Sequence, residues 1–313
     1  MLNYNHLYYF YIAAKSGGVT SAAKILRISQ PSLSSQLKVL EAKLNLNLFR
    51  KVGRQNELTE SGQIVYGFCR RMFEVSEELS EMIVERLPFV SRKLNVGISD
   101  QIERSFVVDI LSFFLKNQHH DAQPKISVIS ASHDYLQDRL TYRELDAVIT
   151  HLPLTAPDLE NVENLTSPVS LFSATPDLKL KRTLEAIRPS DIQKLVGGID
   201  AHWVKPCTST KLRSETDLFF EKHQIKGRVV FESDMIASLT RSVMDGVGFG
   251  FLPTIYLRHE LQSKHIFQIG AKNGYWTYKI WLCCHGQNHD DPLIKSFAKA
   301  FAEVGRKALI RRP

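Results

Sequence analysis

Cysteine, catalytic signatures and long apolar runs are what this 313-residue chain has little of. Its four cysteines, Cys69, Cys207, Cys283 and Cys284, show no Cys-x-x-Cys spacing, and the adjacent pair points to opposite faces if it lies on a strand. That argues against a disulfide framework and for reduced thiols in packing roles. No stretch approaches about 18 uninterrupted apolar residues. The opening MLNYNHLYYF lacks the basic start, apolar centre and small-residue cleavage site of a secretory leader. The expectation is a cytoplasmic protein without a membrane partner, and an exported solute-binding protein is disfavoured.

Catalysis has no local anchor. Gly-x-Ser-x-Gly, His-Glu-x-x-His and P-loop patterns are all missing. Gly246-Val-Gly248-Phe-Gly250 superficially suggests a nucleotide loop, but it leads into a strand, whereas a dinucleotide fingerprint follows a strand and opens a helix. His285 and His289 have the spacing of a metal pair on a helix, yet they flank Gly286 and Asn288 in a stretch that reads as a loop. Neither an enzyme, a metal site nor a cofactor is expected.

What the chain does have is a normal globular composition, 43% hydrophobic and 23% charged, and a net charge of +7 that is unevenly placed. Residues 1–58 hold eight basic side chains against Glu41 and Glu57, while residues 59–87 hold three against six acidic ones. A local basic patch attracts phosphate better than a diffuse excess, so the first segment reads as a DNA-facing module.

Periodicity divides that module. Leu7, Phe10, Tyr11 and Ala14 predict a first helix ending at Gly17-Gly18. Thr20 or Ser21 is the expected cap of a second, with Ala22, Ala23 and Leu26 forming a narrow buried face. Ser29 caps a third helix, with Pro31 in its first turn and Leu33, Leu37, Leu40 and Leu44 on one stripe. Opposite that stripe lie Pro31, Ser35 and Lys38, flanked by Ser32 and Ser34, short groups suited to close approach. Residues 46–58 read as a hairpin wing with a tip at Gly53, which offers Lys51 and Arg54 to the DNA backbone or minor groove. Ser21, near a helix N-terminus, is a phosphate candidate. For any one of these basic or hydroxyl groups plain solvation is an equal alternative; together they favour DNA.

From Thr59 a long helix is expected to about Leu87, stopped by Pro88. Its apolar residues Ile64, Phe68, Met72, Val75, Leu79 and Met82 recur every three or four positions on an acidic helix and predict pairing with a second copy. Beyond Arg92, short strands alternate with helices, the pattern of an α/β fold with largely parallel sheets. Turn-rich breaks after Thr150 and after Pro253 predict two lobes with a cleft. Ser99-Asp100 and Ser130 to Asp134 follow strands, and Thr208, Ser209 and Thr210 precede a helix, the places where open α/β sheets take ligands. Ordinary helix capping explains the last group equally well.

The run SAAKILRISQPSLSSQLKVLEAKLNLNLFRK followed by LTESG resembles the signature of LysR-type transcriptional regulators. The matching features are Ala22-Ala23, Gln30-Pro31, Leu40-Glu41, Leu48-Phe49 and Thr59 to Gly62, with GVGFGFLP, Gly246 to Pro253, similar to a later family motif. The opening NYNHLYYF resembles the branch that regulates sodium/proton antiporters.

The resemblance implies an α/β protein with an N-terminal all-α winged helix-turn-helix (residues 1–58) and a linker and dimerisation helix (59–88). It also implies a two-lobed effector domain resembling type 2 periplasmic binding proteins (89–313), with lobe I about 92–160 and 266–313 and lobe II about 161–265. It places Gln30, Pro31, Ser32, Ser34 and Ser35 at DNA-contacting positions. Many members carry a long basic residue where Ser35 stands, which shifts weight towards shape readout. It places an inducer near Ser99, Asp100, Ser132, His133, Thr150, His202 and Thr208. It further implies double-stranded promoter DNA, RNA polymerase, a small-molecule or ion effector, and a homodimer or homotetramer as partners. For the antiporter branch, sodium or pH is the implied signal, with Asp100 or Asp134 as oxygen ligands; carboxylates at helix starts are the plainer account. A constitutive regulator without ligand response is the competing reading.

Overall fold

The computed structural model describes residues 2–52, 55–85, 92–118, 123–174, 188–196, 200–271 and 273–309. They form two compact units, residues 1–95 with 119–127 and 138–146, and residues 96–118 with 128–137 and 147–313.

The first unit opens with α1 (Tyr4–Lys15), capped by the Asn3 side chain, then α2 (Val19–Leu26) and α3 (Gln30–Leu44). The hairpin β1 (Phe49–Val52) and β2 (Gln55–Leu58) pairs Phe49 with Leu58 and Arg50 with Glu57, and α4 (Glu60–Glu85) follows. Leu7, Phe10, Tyr11, Ala22, Ala23, Leu33, Leu37, Leu40 and Leu48 make one core. The cap of α2 differs from expectation. Gly18, at φ 144, is the N-cap, so neither Thr20 nor Ser21 caps and Ser21 lies inside the first turn. Only a residue without Cβ enters that backbone region freely, and it lets α2 start two residues after Gly17. α4 begins within this core as well. Val65, Tyr66, Met72 and Phe73 pack against it, Cys69 is buried in it, and Tyr11 lies between Tyr66 (5.9 Å) and Phe73 (5.3 Å).

A nine-stranded sheet dominates the rest. Its strands are β3 (Lys93–Ser99), β4 (Lys125–Ala131), β5 (Ala147–Thr150), β6 (Leu159–Ser173), β7 (His202–Pro206), β8 (Arg228–Ser233), β9 (Phe249–Pro253), β10 (Phe267–Ile269) and β11 (Trp276–His285). The order is β4-β3-β5-β11-β6-β9-β7-β8, with β10 on β6. Helices α5 (Arg104–Lys116), α6 (His133–Thr141), α7 (Ile192–Leu195), α8 (Lys211–Lys222), α9 (Ile236–Met244), α10 (Arg258–Gln262) and α11 (Pro292–Leu309) alternate with them.

β3 with β5, and β7 with β8 and β9, are parallel, as the β-then-α alternation predicts. The sheet as a whole is mixed, because β6 and β11 run antiparallel to each other and to their outer neighbours. These two long strands lie side by side in the middle of the strand order, between β5 and β9. The turn-rich break after Thr150 is a loop over residues 151–158 that leads into β6. The stretch after Pro253 is instead a 3-10 turn, Thr254–Tyr256, with Tyr256 against Phe106 of α5.

Candidate nucleic-acid interface and interlobe cleft

Burial of Leu33, Leu37 and Leu40 fixes the rotation of α3, since truncating such a residue to alanine costs about 2–5 kcal/mol. The opposite face is thereby committed to solvent. It presents Gln30, Pro31, Ser32, Ser35 and Lys38 exposed and Ser34 half-buried. Ser29 accepts a hydrogen bond from the Ser32 amide at 3.3 Å, so the N-terminus of α3 is capped as expected. Ser21 is exposed on α2, and Lys51 is exposed on β1, next to an Arg50–Glu57 ion pair of 3.4 Å. Arg54 and the wing tip Gly53 lie outside the described residues.

The motif residues beyond α3 hold the wing and α4 in place. Glu41 Oε1 accepts from the amides of Leu48 (2.7 Å) and Phe49 (3.1 Å), so one carboxylate sets the path from α3 into β1. Thr59 Oγ1 donates to the Asn47 carbonyl (2.6 Å) and accepts from the Gly62 amide (2.9 Å). A Cβ on Gly62 would collide with the Leu48 carbonyl oxygen, so glycine there permits α4 to start against the wing base. The spacings Leu40-Glu41, Leu48-Phe49 and Thr59 to Gly62 are one hydrogen-bonded joint.

Of the apolar positions on α4, Ile64, Phe68, Val75 and Leu79 are exposed and form a seam. Met72 packs into the N-terminal core instead. The side chain of Met82 lies outside the described residues.

In the second unit, strand C-termini and helix N-termini converge. Ser99 is buried at the end of β3, and its Oγ lies 2.9 Å from Nδ1 of His151 and 3.3 Å from Asp100 Oδ1. His133, opening α6, places Nδ1 2.9 Å from Thr150 Oγ1 at the end of β5. The two imidazoles meet edge to face at 5.8 Å. Burial, then His133 and Lys211, push the pKa of His151 down to about 4. Burial lowers that of His133 too, against a smaller opposing effect of Asp134. From lobe II, Thr210 caps α8 by accepting from the Arg213 amide. The Lys211 amide donates to Gln101 Oε1 at 3.3 Å, bridging the lobes, and Tyr278 of β11 donates to the Gln101 carbonyl at 3.4 Å. Gln101, Pro206, Thr210, Leu212, Asp234, Ile236 and Tyr278 line a cavity of about 10 Å³, the room of a single water.

Ser99, Asp100, His133 and Thr150 are therefore brought together. Ser132 is exposed just before α6, and Thr208 is exposed two residues ahead of the Thr210 cap. His202 is not part of the cluster: it opens β7, at the opposite end of that strand from Pro206. Sequence reasoning missed His151, Gln101, Lys211 and Tyr278. Only His151 left a signal, as a polar residue directly after a strand that ends in Thr150.

Residues 4–63 match the bacterial regulatory helix-turn-helix protein, lysR family, and residues 89–306 match the LysR substrate binding domain. The transcriptional activator protein NhaR of Escherichia coli is 28% identical over 162 residues, which cover 51% of this chain and 52% of NhaR. The chain thus spans about half the length of that relative. A full-length OxyR variant from Pseudomonas aeruginosa shares the fold at a TM-score of 0.66 and 18% identity, covering 100% of this chain and 99% of its own. Full-length LysG from Corynebacterium glutamicum, with bound effector Arg, does so at 0.64 and 12%, covering 98% and 99%. With a helix-turn-helix and a substrate binding domain that together account for most of its length, this chain belongs to the LysR family of bacterial regulators.

Proposed function

We propose that this chain is a homo-oligomeric, promoter-binding transcription regulator, not an enzyme, whose interlobe cleft takes a small ligand that modulates DNA binding or activation through RNA polymerase. The observation that carries the DNA reading is the exposed Gln30, Pro31, Ser32, Ser35 and Lys38 face of α3, set in a segment with eight basic and two acidic side chains. Polar side chains on such a face read base edges, and Lys38, Lys51 and Arg54 hold phosphates. Ser21 and Ser34 supply hydroxyls to the backbone. The name of NhaR as an activator favours activation.

The triple variant Ser35→Glu, Lys51→Glu, Arg54→Glu tests this against genomic duplexes selected by the wild type. Binding falls, and the slope of log affinity against log salt shrinks by about one per lost phosphate contact. Unchanged affinity and slope would sink the reading.

Ser99, Asp100, Ser132, His133, Thr150 and Thr208 form the ligand region on this reading, and LysG with its bound arginine supports it. The second reading is a constitutive regulator without ligand response. Thermal-shift screening with metabolites and ions, followed by duplex titration with each hit, separates the two: a sensor yields a compound that changes duplex affinity.

A further inference from the structure

The second unit carries a surface cavity of about 570 Å³ that shares no residue with the Ser99–His151 cluster. That volume is in the range of small-molecule sites. Its walls come from three separate stretches: Pro189 ahead of α7, Phe219 and Lys222 of α8, and Tyr275 and Trp276 at the entry to β11.

The rings are fixed by their neighbours. Phe251 of β9, itself 2% exposed, has its centroid 5.2 Å from Phe219, 5.7 Å from Tyr275 and 5.1 Å from Trp276. Phe219 in turn meets Tyr275 at 5.4 Å and Trp276 at 5.0 Å. The Trp276 indole N–H donates to Glu215 Oε2 at 3.1 Å, which sets the plane of that ring. Gly274, at φ 72, makes the turn that delivers Tyr275 and Trp276; a Cβ there would collide with the Val169 carbonyl oxygen. Tyr275 and Trp276 stay half-buried, and Leu218 beside them is 66% exposed. Rings held in this way offer stacking area at little entropic cost.

Charge selects among the compounds that would stack there. Glu215 is spent internally: besides the indole it pairs with Lys211 at 3.7 Å, and burial raises its pKa against the opposing effect of Lys211. Lys222, in the last turn of α8, lines the cavity exposed and has no ion pair among the described residues. His223 follows it, with its ring 4.6 Å from that of Phe219. A cationic ligand would meet a carboxylate already paired and an ammonium of its own sign. An anionic one would meet Lys222 with only water to displace.

We propose that this cavity is a ligand site in its own right and takes a planar aromatic acid, its ring against Phe219, Tyr275 and Trp276 and its carboxylate at Lys222. The site stands whether or not the interlobe cleft takes a ligand.

The test is ligand-observed NMR titration of the full chain with benzoate and indole-3-acetate, against benzylamine and indole as the cationic and neutral rings. At least one acid binds with a Kd of about 1 mM or tighter, and both controls bind about tenfold more weakly or worse. Lys222→Glu, a change at an exposed position, weakens the acid by about tenfold or more, and Lys222→Arg retains it. Binding of neither acid, or equal binding of benzylamine or indole, overturns the proposal. Acid binding that survives Lys222→Glu places the acid elsewhere and overturns it too. Sedimentation of the same variants covers another occupant: if Lys222→Glu dissociates the oligomer and neither acid binds, the cavity is an interface between copies and the proposal falls.

Discussion

His151 tolerates only a neutral ring. Buried beside His133 and Lys211, it titrates at about 4, against 6.5 for a free histidine. The unfolded chain therefore binds the extra proton first as pH falls, and the stability that depends on a neutral His151 is fully present above about 6.5 and is lost down to about 4. The loss amounts to about 3 kcal/mol. Chemical denaturation at steps between pH 7 and 4 should show that slope, and His151→Asn should flatten it; an equally steep variant would place the proton elsewhere. Glu41 acts by the opposite principle, as a charge kept because two backbone amides need it. Its replacement by alanine should cost about 1.5–3 kcal/mol in urea unfolding and loosen the wing, since hydrogen bonds to a charged acceptor are lost. The two residues also differ in legibility. Glu41 falls within a recognisable spacing, whereas His151 acquires its role only when β3, β5 and α6 bring Ser99 and His133 to it.

At the scale of elements, the 3.6-residue period located every helix of the DNA-binding segment, but it does not say which side of a two-faced helix is spent internally. On α4, Val65, Tyr66, Met72 and Phe73 serve the N-terminal core, and Ile64, Phe68, Val75 and Leu79 remain exposed. Met72 fits either period, and tertiary packing decided. The long strands β6 and β11 were harder still. β6 carries Glu160, Asn164, Thr166 and Pro168 among its apolar residues, and β11 carries Thr277 and Lys279, because both strands are partly exposed. The exposed seam has a direct consequence for assembly. Val75→Asp with Leu79→Asp, at exposed positions outside the buried N-terminal core, should leave the monomer folded and weaken self-association by at least about tenfold in sedimentation. An unaltered assembly would remove α4 from the interface.

Among the described residues, the large sheet ends in two edge strands. β4 and β8 terminate the strand order, and each displays paired aliphatics, Val128 and Ile129 on one, Val229 and Val230 on the other. Unpaired edges carrying β-branched residues are templates for another chain, and soluble proteins normally blunt them with charge, proline or a cover. Here exposed aliphatics stand beside Lys125 on β4 and beside Arg228 and Glu232 on β8, and a self-association surface there would be independent of α4. Two surfaces on one chain build a larger closed assembly than either alone. The double variant Ile129→Lys, Val230→Lys should therefore reduce a tetramer to a dimer still held through α4, while the α4 variant leaves a dimer held through the sheet edges. Combining all four substitutions should give a folded monomer with the wild-type circular dichroism spectrum. Analytical ultracentrifugation of the three variants decides the matter. If the edge variant sediments like the wild type, the aliphatic edges serve another partner, and α4 alone carries self-association.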